Sequence, residues 1–201
     1  MKLPILITLI VSLSGCASAL NVRNAESHAQ AGYAAQRSGN WDAARRQFAQ
    51  AVVNADLGDA DLSGKSIVNY EYGRALGVTC FYDEAEKYLL RSKTIKEQLN
   101  LSPYLALYEL GLMNEKQGKH DASANYFAQL IPEMKKEGLQ NKYPLGVADA
   151  FDRYADALEK SGKPNEARLQ RKEAAAIRSA NPNAQPFGAL TPYGTQCAKS
   201  S

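Results

Sequence analysis

Small and large apolar residues recur along this chain at fixed distances from a set of turn positions. The clearest stretch runs from Gln36 to Ala51 and has a glycine at position 39. Small residues follow that glycine after five and twelve positions, at Ala44 and Ala51, and an aromatic residue, Phe48, follows after nine. No segment shows sustained period-two alternation, so the pattern favours helices over strands. It predicts one helix that ends at the glycine and a second that begins directly after it.

The same spacing occurs in four aligned units. The turn positions are Gly39, Cys80, Gly118 and Gly162. Small residues lie seven positions before the turns, at Gly32, Gly73, Gly111 and Ala155, and five positions after them, at Ala44, Ala85, Ser123 and Ala167. The position nine after each turn holds Phe48, Leu89, Phe127 and Arg171, and the position twelve after holds Ala51, Ser92, Leu130 and Ala174. Two helices approach closely only where small residues cross, and larger residues one turn away fill the space between neighbouring pairs. The rows therefore predict closely packed helix pairs.

The spacing of these small and large residues resembles that of the tetratricopeptide (TPR) repeat family over roughly residues 25–180. The resemblance implies an all-α fold, a right-handed superhelical solenoid of about four helix-turn-helix pairs. The fourth unit departs most, with Pro164 in its turn and Arg171 in place of the aromatic residue. A polar outer face is what the terminal unit of such a solenoid requires. An unrelated helical bundle with chance glycine and alanine matches is the alternative.

The spacing between turns is longer than in the standard family repeat. It is 41, 38 and 44 residues here, against roughly 34 in the family. Either the helices or the linkers between pairs must therefore be longer. Gly, Pro, Asp and Ser mark breaks at Asp56–Gly64, Asn100–Pro103 and Gly138–Gly146.

In the TPR family the first helix of each pair lines a concave groove. These helices are expected near residues 25–38, 65–79, 103–117 and 146–161. The resemblance places the following side chains at a partner-binding surface: Tyr33, Arg37, Tyr70, Arg74, Tyr108, Leu112, Asp149, Asp152 and Asp156. Exposed tyrosine is common in binding surfaces because it offers a large contact area at low ordering cost. Tyr70 and Tyr108 fit a core position equally well.

The first helix of the fourth unit carries a stripe of acidic residues. Asp149, Asp152, Asp156 and Glu159 have the spacing of one helix face. Like charges this close destabilise a helix by some tenths of a kcal/mol per pair. One interpretation is a clamp for a basic or N-terminal segment of a partner. The other is a solvated polar face that Arg153 and Lys160 partly neutralise.

The N-terminus has the features of a bacterial lipoprotein signal peptide. Lys2 supplies one positive charge, and an apolar run of eleven residues, 3–13, follows it. That run is too short for a membrane-spanning helix, which needs about 20 apolar residues. The string Leu13-Ser14-Gly15-Cys16 then resembles the lipobox of bacterial lipoproteins, in which the cysteine is lipidated and becomes the mature N-terminus. An ordinary signal peptide cleaved after Ala17 or Ala19, with an unmodified cysteine, is the alternative.

The lipoprotein resemblance implies a signal peptide at 1–15 and a lipidated linker at 16–24 that precede the repeat domain. Each buried CH₂ of an acyl chain contributes about 0.8 kcal/mol, so two or more chains hold a protein firmly on a membrane. The family's sorting rule retains proteins with Asp after the cysteine in the inner membrane. Because Ala17 and Ser18 follow instead, we expect attachment to the outer membrane with the domain in the periplasm.

The helical periodicity stops in a C-terminal tail, residues 181–201. Prolines and glycines follow one another there, at Pro182, Pro186, Gly188, Pro192 and Gly194. They predict an extended, non-helical segment. With Cys16 lipidated, Cys80 and Cys197 are the only cysteines left, and the periplasm is oxidising. We predict a Cys80–Cys197 disulfide that returns the tail to the middle repeats; a buried Cys80 with a free or intermolecular Cys197 is the alternative.

Charge and motif content exclude several classes of function. Removal of residues 1–15 lowers the formal net charge only from +3 to +2, and no basic patch is concentrated as in a nucleic-acid-binding protein. His28 and His120 are the only histidines, and neither has a second His or a Cys at metal-ligand spacing. Nucleophile-elbow and phosphate-binding motifs are absent from the sequence. We therefore predict no enzymatic activity, metal, cofactor or small-molecule substrate.

The sequence predicts an outer-membrane-anchored scaffold that binds a protein or peptide partner in a cell-envelope assembly or secretion machine. Similar lipoproteins with these repeats serve as pilotins, as parts of barrel-assembly machinery or as adaptors for peptidoglycan hydrolases. The alternative is a structural or regulatory envelope subunit whose C-terminal tail occupies its own groove.

Overall fold

A computed structural model describes residues 4–185 and 188–197, with side chains from residue 17 onward. Within these ranges the chain forms nine helices and no strand. The helices are α1 (Pro4–Arg37), α2 (Trp41–Leu57), α3 (Leu62–Val78), α4 (Tyr82–Gln98), α5 (Tyr104–Lys116), α6 (His120–Lys136), α7 (Leu139–Lys142), α8 (Pro144–Lys160) and α9 (Pro164–Ala180). Two compact units divide the chain: the first ends at Ile95, and the second is Lys96–Cys197. The predicted all-α fold class is confirmed.

Each predicted helix pair closes with the same left-handed turn. The φ angles of Gly39, Cys80, Gly118 and Gly162 are +73°, +71°, +72° and +76°. In each turn the next N–H donates to a carbonyl five residues back, as Lys119 N–H does to the Asn114 carbonyl at 3.0 Å. This Schellman arrangement ends the first helix of the pair. The left-handed region costs a residue with a side chain about 1–2 kcal/mol, so Cys80 is strained where the other three turns have glycine.

Glycine allows close contact between the helices of the first three pairs. An added Cβ at Gly32 would lie 2.7 Å from ring carbons of Phe48, and one at Gly73 would lie 2.7 Å from Leu89 Cγ. The third pair repeats the contact between Gly111 and Phe127. Such distances are shorter than van der Waals contact, so a larger residue would separate the helices. Phe48, Leu89 and Phe127 are fully buried, as the repeat pattern predicted.

Longer helices explain most of the increased repeat spacing. Six helices, α2, α3, α4, α6, α8 and α9, have 17 residues each. The shorter α5, with 13 residues, accompanies the shortest spacing. The four-residue helix α7 lies between the third and fourth pairs, where the spacing is longest. The first linker is narrower than the predicted break, since α2 ends at Leu57 and α3 begins at Leu62.

α1 passes through the segments predicted as signal peptide and linker. Residues 1–3 and the Cys16 side chain lie outside the described part of the molecule. Residues 17–24, predicted as a linker, are helical and packed: Ser18 Oγ donates to the Gly58 carbonyl at 2.6 Å. A Cβ at Gly58 would lie 2.7 Å from the Val22 backbone nitrogen, so this contact also depends on a small residue. Among the helices in the described ranges, we find none with the length and apolar character needed to cross a membrane.

Candidate binding groove

In the first unit, the Arg74 guanidinium lies near two aromatic rings. Its carbon is 5.6 Å from the ring centre of Trp41 and 5.5 Å from that of Tyr70. Its Nη1 also donates to Oε2 of Glu71 at 2.8 Å. Cation–π contacts and a charge-assisted hydrogen bond hold these side chains in a defined arrangement. The predicted groove residues Tyr70 and Arg74 therefore lie together on α3.

Glu71 is a buried carboxyl group that the sequence analysis missed. Its exposed fraction is 9%, and Gln36 Nε2 from α1 donates to its Oε2 at 2.9 Å. A carboxyl group that loses water needs such donors, because an unpartnered buried charge is costly. The repeat contained a usable signal, since Glu71 and Glu109 both lie nine residues before a turn position. Both belong to the first helix of a pair.

Tyr33 and Arg37 lie one helical turn apart on α1 and have different surroundings. Tyr33 is partly buried and packs edge-on against Phe48, with ring centres 5.3 Å apart. Burial, followed by the charge of Glu71, raises the pKa of Tyr33 to about 12. Arg37 is the exposed last residue of the helix. Tyr33 thus contributes to packing, while Arg37 is accessible to solvent.

In the second unit, polar side chains connect α5 to α8. The Tyr108 hydroxyl donates to Asp149 Oδ2 at 2.9 Å. Burial, then the charge of Asp149 and this hydrogen bond, raise the pKa of Tyr108. Arg153 Nε donates to the same Oδ2 at 2.9 Å, and its Nη1 donates to Glu115 Oε2 at 3.0 Å. The predicted residues Tyr108 and Asp149 are therefore in direct contact.

The acidic stripe of α8 is paired with arginines. Besides the Arg153–Asp149 pair, Arg178 Nη1 lies 2.6 Å from Asp152 Oδ2, Arg171 Nη2 lies 2.9 Å from Asp156 Oδ1, and Arg171 also contacts Glu159. Exposed pairs of this kind contribute little to stability, because water screens them. They nevertheless neutralise charge that a clamp for a basic segment would use. Of the two interpretations of the stripe, the arrangement favours the solvated polar face.

The C-terminal tail lies on α5. Thr191 Oγ1 donates to Glu109 Oε1 at 3.0 Å, and the Tyr193 hydroxyl donates to Glu109 Oε2 at 2.9 Å. The exposed fractions of Thr191, Tyr193 and Glu109 are 7%, 4% and 5%. The tail therefore covers a surface of α5 that the TPR resemblance predicted to be an open groove.

Leu112, which the TPR resemblance places at the partner-binding surface, is 6% exposed. It lines a cavity of about 400 Å³ with Arg153 of α8 and with Leu190 and Tyr193 of the tail. A second cavity of about 280 Å³ lies between Tyr108 on the groove side and Leu190 on the tail side. Leu112 lies beside the tail, and its place in a partner-binding surface stays a prediction. Both cavities open to the surface beside the tail.

Cys80 and Cys197 are both disulfide-bonded. Cys80 is the strained residue of the second turn, and Cys197 follows the tail contacts with Glu109. The disulfide state of both residues is the state expected in an oxidising compartment.

Possible metal ligands do not cluster in the described part of the chain. No group of three or more His, Cys, Asp and Glu residues within that part is arranged to hold a metal ion. The His28 ring is instead hydrogen-bonded, with Nδ1 2.8 Å from Gln47 Oε1. The groove residues described above offer hydroxyl, carboxyl, guanidinium and aromatic groups for recognition.

No family model matches the sequence, and no curated protein matches it. Several solved structures are similar to it in fold. BtubC (BKLC) from P. vanneervenii aligns with a TM-score of 0.72 at 13% sequence identity, over 83% of this chain and 67% of that one. MamA aligns at 0.64 and 20% identity over 79% and 81% of the two chains, and the TPR-like repeats of a kinesin light chain from Podosopora anserina align at 0.66 and 16% identity over 85% and 79%. At these identities the likeness establishes the fold, which consists of TPR-like repeats as predicted.

Proposed function

We propose that this protein is a lipid-anchored scaffold of the bacterial cell envelope that binds a protein partner in the groove of its first helices. The observation that carries the proposal is the tail, because the surface of α5 already accommodates a non-helical peptide segment through Glu109. Stacked helix pairs supply extended concave surfaces of this kind. The partner would be a component of an assembly or secretion machine.

The anchor in this proposal is a lipid on Cys16, which would place the protein on the periplasmic side of the outer membrane. The support is the Leu13–Cys16 resemblance to a lipobox and the absence of Asp from the two following positions. Replacement of Cys16 by Ser should move the protein from the outer-membrane fraction to the soluble periplasm and abolish incorporation of labelled palmitate. Cys197→Ser is the matched control and should stay in the membrane. Membrane retention and labelling of Cys16→Ser would refute the anchor.

Partner binding can be tested by photocrosslinking in living cells from position 70. Tyr70 is partly exposed beside Arg74 on α3, so a photoreactive residue there would lie within reach of a bound chain. We expect one dominant envelope protein in the adducts. A photoreactive residue at Leu169, which is 62% exposed on α9, is the control and should not capture that protein. An equal yield from both positions, or no adduct from position 70, would contradict a partner in this part of the groove.

The alternative function is a structural or regulatory subunit whose own tail permanently occupies the groove. The buried contacts of Thr191 and Tyr193 with Glu109 favour it for the second unit. It predicts that tail amides stay protected from hydrogen exchange both in the purified protein and in the presence of envelope extract. An open adaptor predicts that the extract removes this protection.

The disulfide in our proposal links Cys80 to Cys197. Such a link would close a loop of more than 100 residues, nominally worth about 4–5 kcal/mol in the chain-entropy model. Non-reducing intact-mass measurement and peptide mapping of the mature protein should find the two cysteines in one cross-linked peptide. Free thiols, or a disulfide between two chains, would refute the link.

A further inference from the structure

The part of the tail that contacts α5 is shaped by its own sequence. The Tyr193 N–H donates to the Thr191 carbonyl at 2.9 Å, which closes a three-residue turn centred on Pro192. Proline fixes φ near −65°, so the turn loses little conformational entropy when it binds. Thr195 Oγ1 donates to the Pro192 carbonyl at 2.8 Å, and Gly194 takes a left-handed φ of +68°. The turn therefore presents the two flanking side chains in a preset arrangement.

These two side chains converge on a single carboxyl group. One hydroxyl reaches each oxygen of Glu109, at 3.0 Å from Thr191 and 2.9 Å from Tyr193. A carboxylate is an acceptor, so it selects donors, and two donors at a fixed separation select a geometry. The second pair differs at the corresponding place: Arg74 lies three residues after Glu71, whereas Leu112 lies three residues after Glu109. Glu109 thus receives hydroxyl groups from a peptide segment.

The tail does not cover the whole of this groove. Open cavities of about 400 Å³ and about 280 Å³ lie beside it, bordered by residues of α5, α8 and the tail. Leu190 remains 42% exposed although it borders both cavities. An exposed apolar side chain beside an open cavity leaves apolar area that a larger occupant would remove from water. An occupant with larger side chains before the hydroxyl-bearing turn would gain contacts that Leu190 does not make.

We infer that the groove of α5 and α8 recognises a hydroxyl–proline–tyrosine turn, and that residues 191–193 are the protein's own copy of that ligand. A partner segment with Thr or Ser, then Pro, then Tyr binds Glu109 through the same two hydroxyl groups and displaces the tail. This inference rests on the groove-binding function proposed above and specifies the chemistry of the partner. It assigns Glu109 as the residue that determines specificity.

The experiment uses the full mature chain carrying Thr191→Val and Tyr193→Phe, which removes both tail hydroxyls while preserving side-chain size. Binding of a fluorescent peptide with the sequence of residues 188–196 is measured by anisotropy, with a reductant present so that the disulfide at Cys197 does not hold the tail. We expect the double variant to bind the peptide at least tenfold more tightly than the wild-type chain, whose own tail competes. A peptide with Val at 191 and Phe at 193 should bind about tenfold more weakly for each hydroxyl removed.

Equal binding of the native and hydroxyl-free peptides would overturn the inference, as would the absence of binding to the double variant. Glu109→Gln in the double variant is a further test, with a circular-dichroism melt to verify folding, and should weaken binding of the native peptide at least tenfold. Because the peptide comparison leaves the protein unchanged, a folding defect of a variant cannot imitate the result. The peptide test is also independent of the cellular crosslinking. If crosslinking finds no envelope partner but the peptide binds specifically, the proposed function is refuted and the inference about the turn stands.

Discussion

Two buried glutamates occupy the same repeat position and are satisfied in different ways. Glu71 of the first unit accepts hydrogen bonds from Arg74 on its own helix and from Gln36 on α1. Glu109 of the second unit accepts hydrogen bonds from Thr191 and Tyr193, more than 80 residues away in the chain. The first arrangement is internal to the repeats, whereas the second depends on a separate segment.

Under the proposed function, the same repeat position serves stability in the first unit and recognition in the second. A carboxyl group paired with a neighbouring guanidinium is part of the framework, because removal of either partner would leave the other charge buried and unpaired. A carboxyl group that meets the hydroxyl groups of a displaceable segment retains the capacity to accept other donors. Sequence changes at the position three residues later, arginine or leucine, accompany this difference.

The largest effect should follow loss of the internal partner of Glu71. Arg74→Met removes the guanidinium from a carboxyl group whose side chain is 11% exposed, so we expect the free energy of unfolding to fall by about 2–3 kcal/mol. Urea denaturation followed by circular dichroism measures it. Arg37→Met, at the exposed end of α1, is the control and should cost less than about 0.5 kcal/mol. Equal costs for the two variants would show that Glu71 does not depend on Arg74.

A smaller and more local effect is expected at Glu109. Tyr193→Phe should weaken docking of the tail by about 1–2 kcal/mol, because it removes one hydrogen bond to a buried carboxyl group. Hydrogen exchange of the Tyr193 amide, which donates to the Thr191 carbonyl, should accelerate about tenfold, while the urea midpoint changes little because the tail opens locally. Tyr143→Phe, at a residue 51% exposed, should change neither. A large shift of the urea midpoint for Tyr193→Phe would mean that the tail belongs to the framework, as Arg74 does.

The strained turn allows a third comparison between equivalent positions. Cys80 has a φ of +71° where the other turns have glycine. In the presence of reductant, Cys80→Gly should stabilise the protein by about 1 kcal/mol relative to Cys80→Ser, since glycine adopts this conformation without a steric penalty. Thermal denaturation of the two variants measures the difference. Identical melting temperatures would argue against strain at this turn.

The smallest expected effect is a change in the pH at which Tyr33, beside Glu71, ionises, and it is detected by absorbance. Its pKa is raised from 10.0 to about 12, so the absorbance of tyrosinate should show a group that ionises near pH 12 and that Tyr33→Phe removes. Between these two pH values the folded protein keeps a proton that the unfolded chain releases. The free energy of unfolding should therefore decrease as the pH rises through that interval. Ionisation of Tyr33 near pH 10 would show that its ring is not buried beside Glu71.

The repeat fold could be predicted from the sequence because its determinants are local. Gly32 and Phe48 are separated by a fixed number of residues across one turn, and their contact follows from helix geometry. Leu112 shows the limit of that approach. Its place on the groove-facing side of α5 follows from the repeat, but its burial depends on a tail that the periodic pattern does not reach.

The ion pairs of α8 and the burial of Glu71 were also harder to predict, because they depend on contacts between different helices. The acidic stripe on α8 is visible in the spacing of Asp149, Asp152 and Asp156. Its pairing with Arg171 and Arg178 depends on how α9 packs against it, which spacing within one helix does not determine. A single glutamate such as Glu71 resembles a surface residue until its neighbours across the pair are known.

The short helix α7 has a practical consequence for experiments on this protein. It adds length between the third and fourth pairs, and only Leu139 of its four residues is buried. Each left-handed turn within a pair fixes the hydrogen bonds that end one helix and position the next, whereas the bonds that Asn141 and Tyr143 donate across α7 belong to this short helix alone. An epitope tag or a fluorescent reporter inserted between Gln140 and Asn141 should therefore be tolerated, since exposed connections accept added chain. The same insertion after Gly118 would disrupt the turn between α5 and α6. A reporter in α7 should therefore allow the folded protein to be followed in living cells.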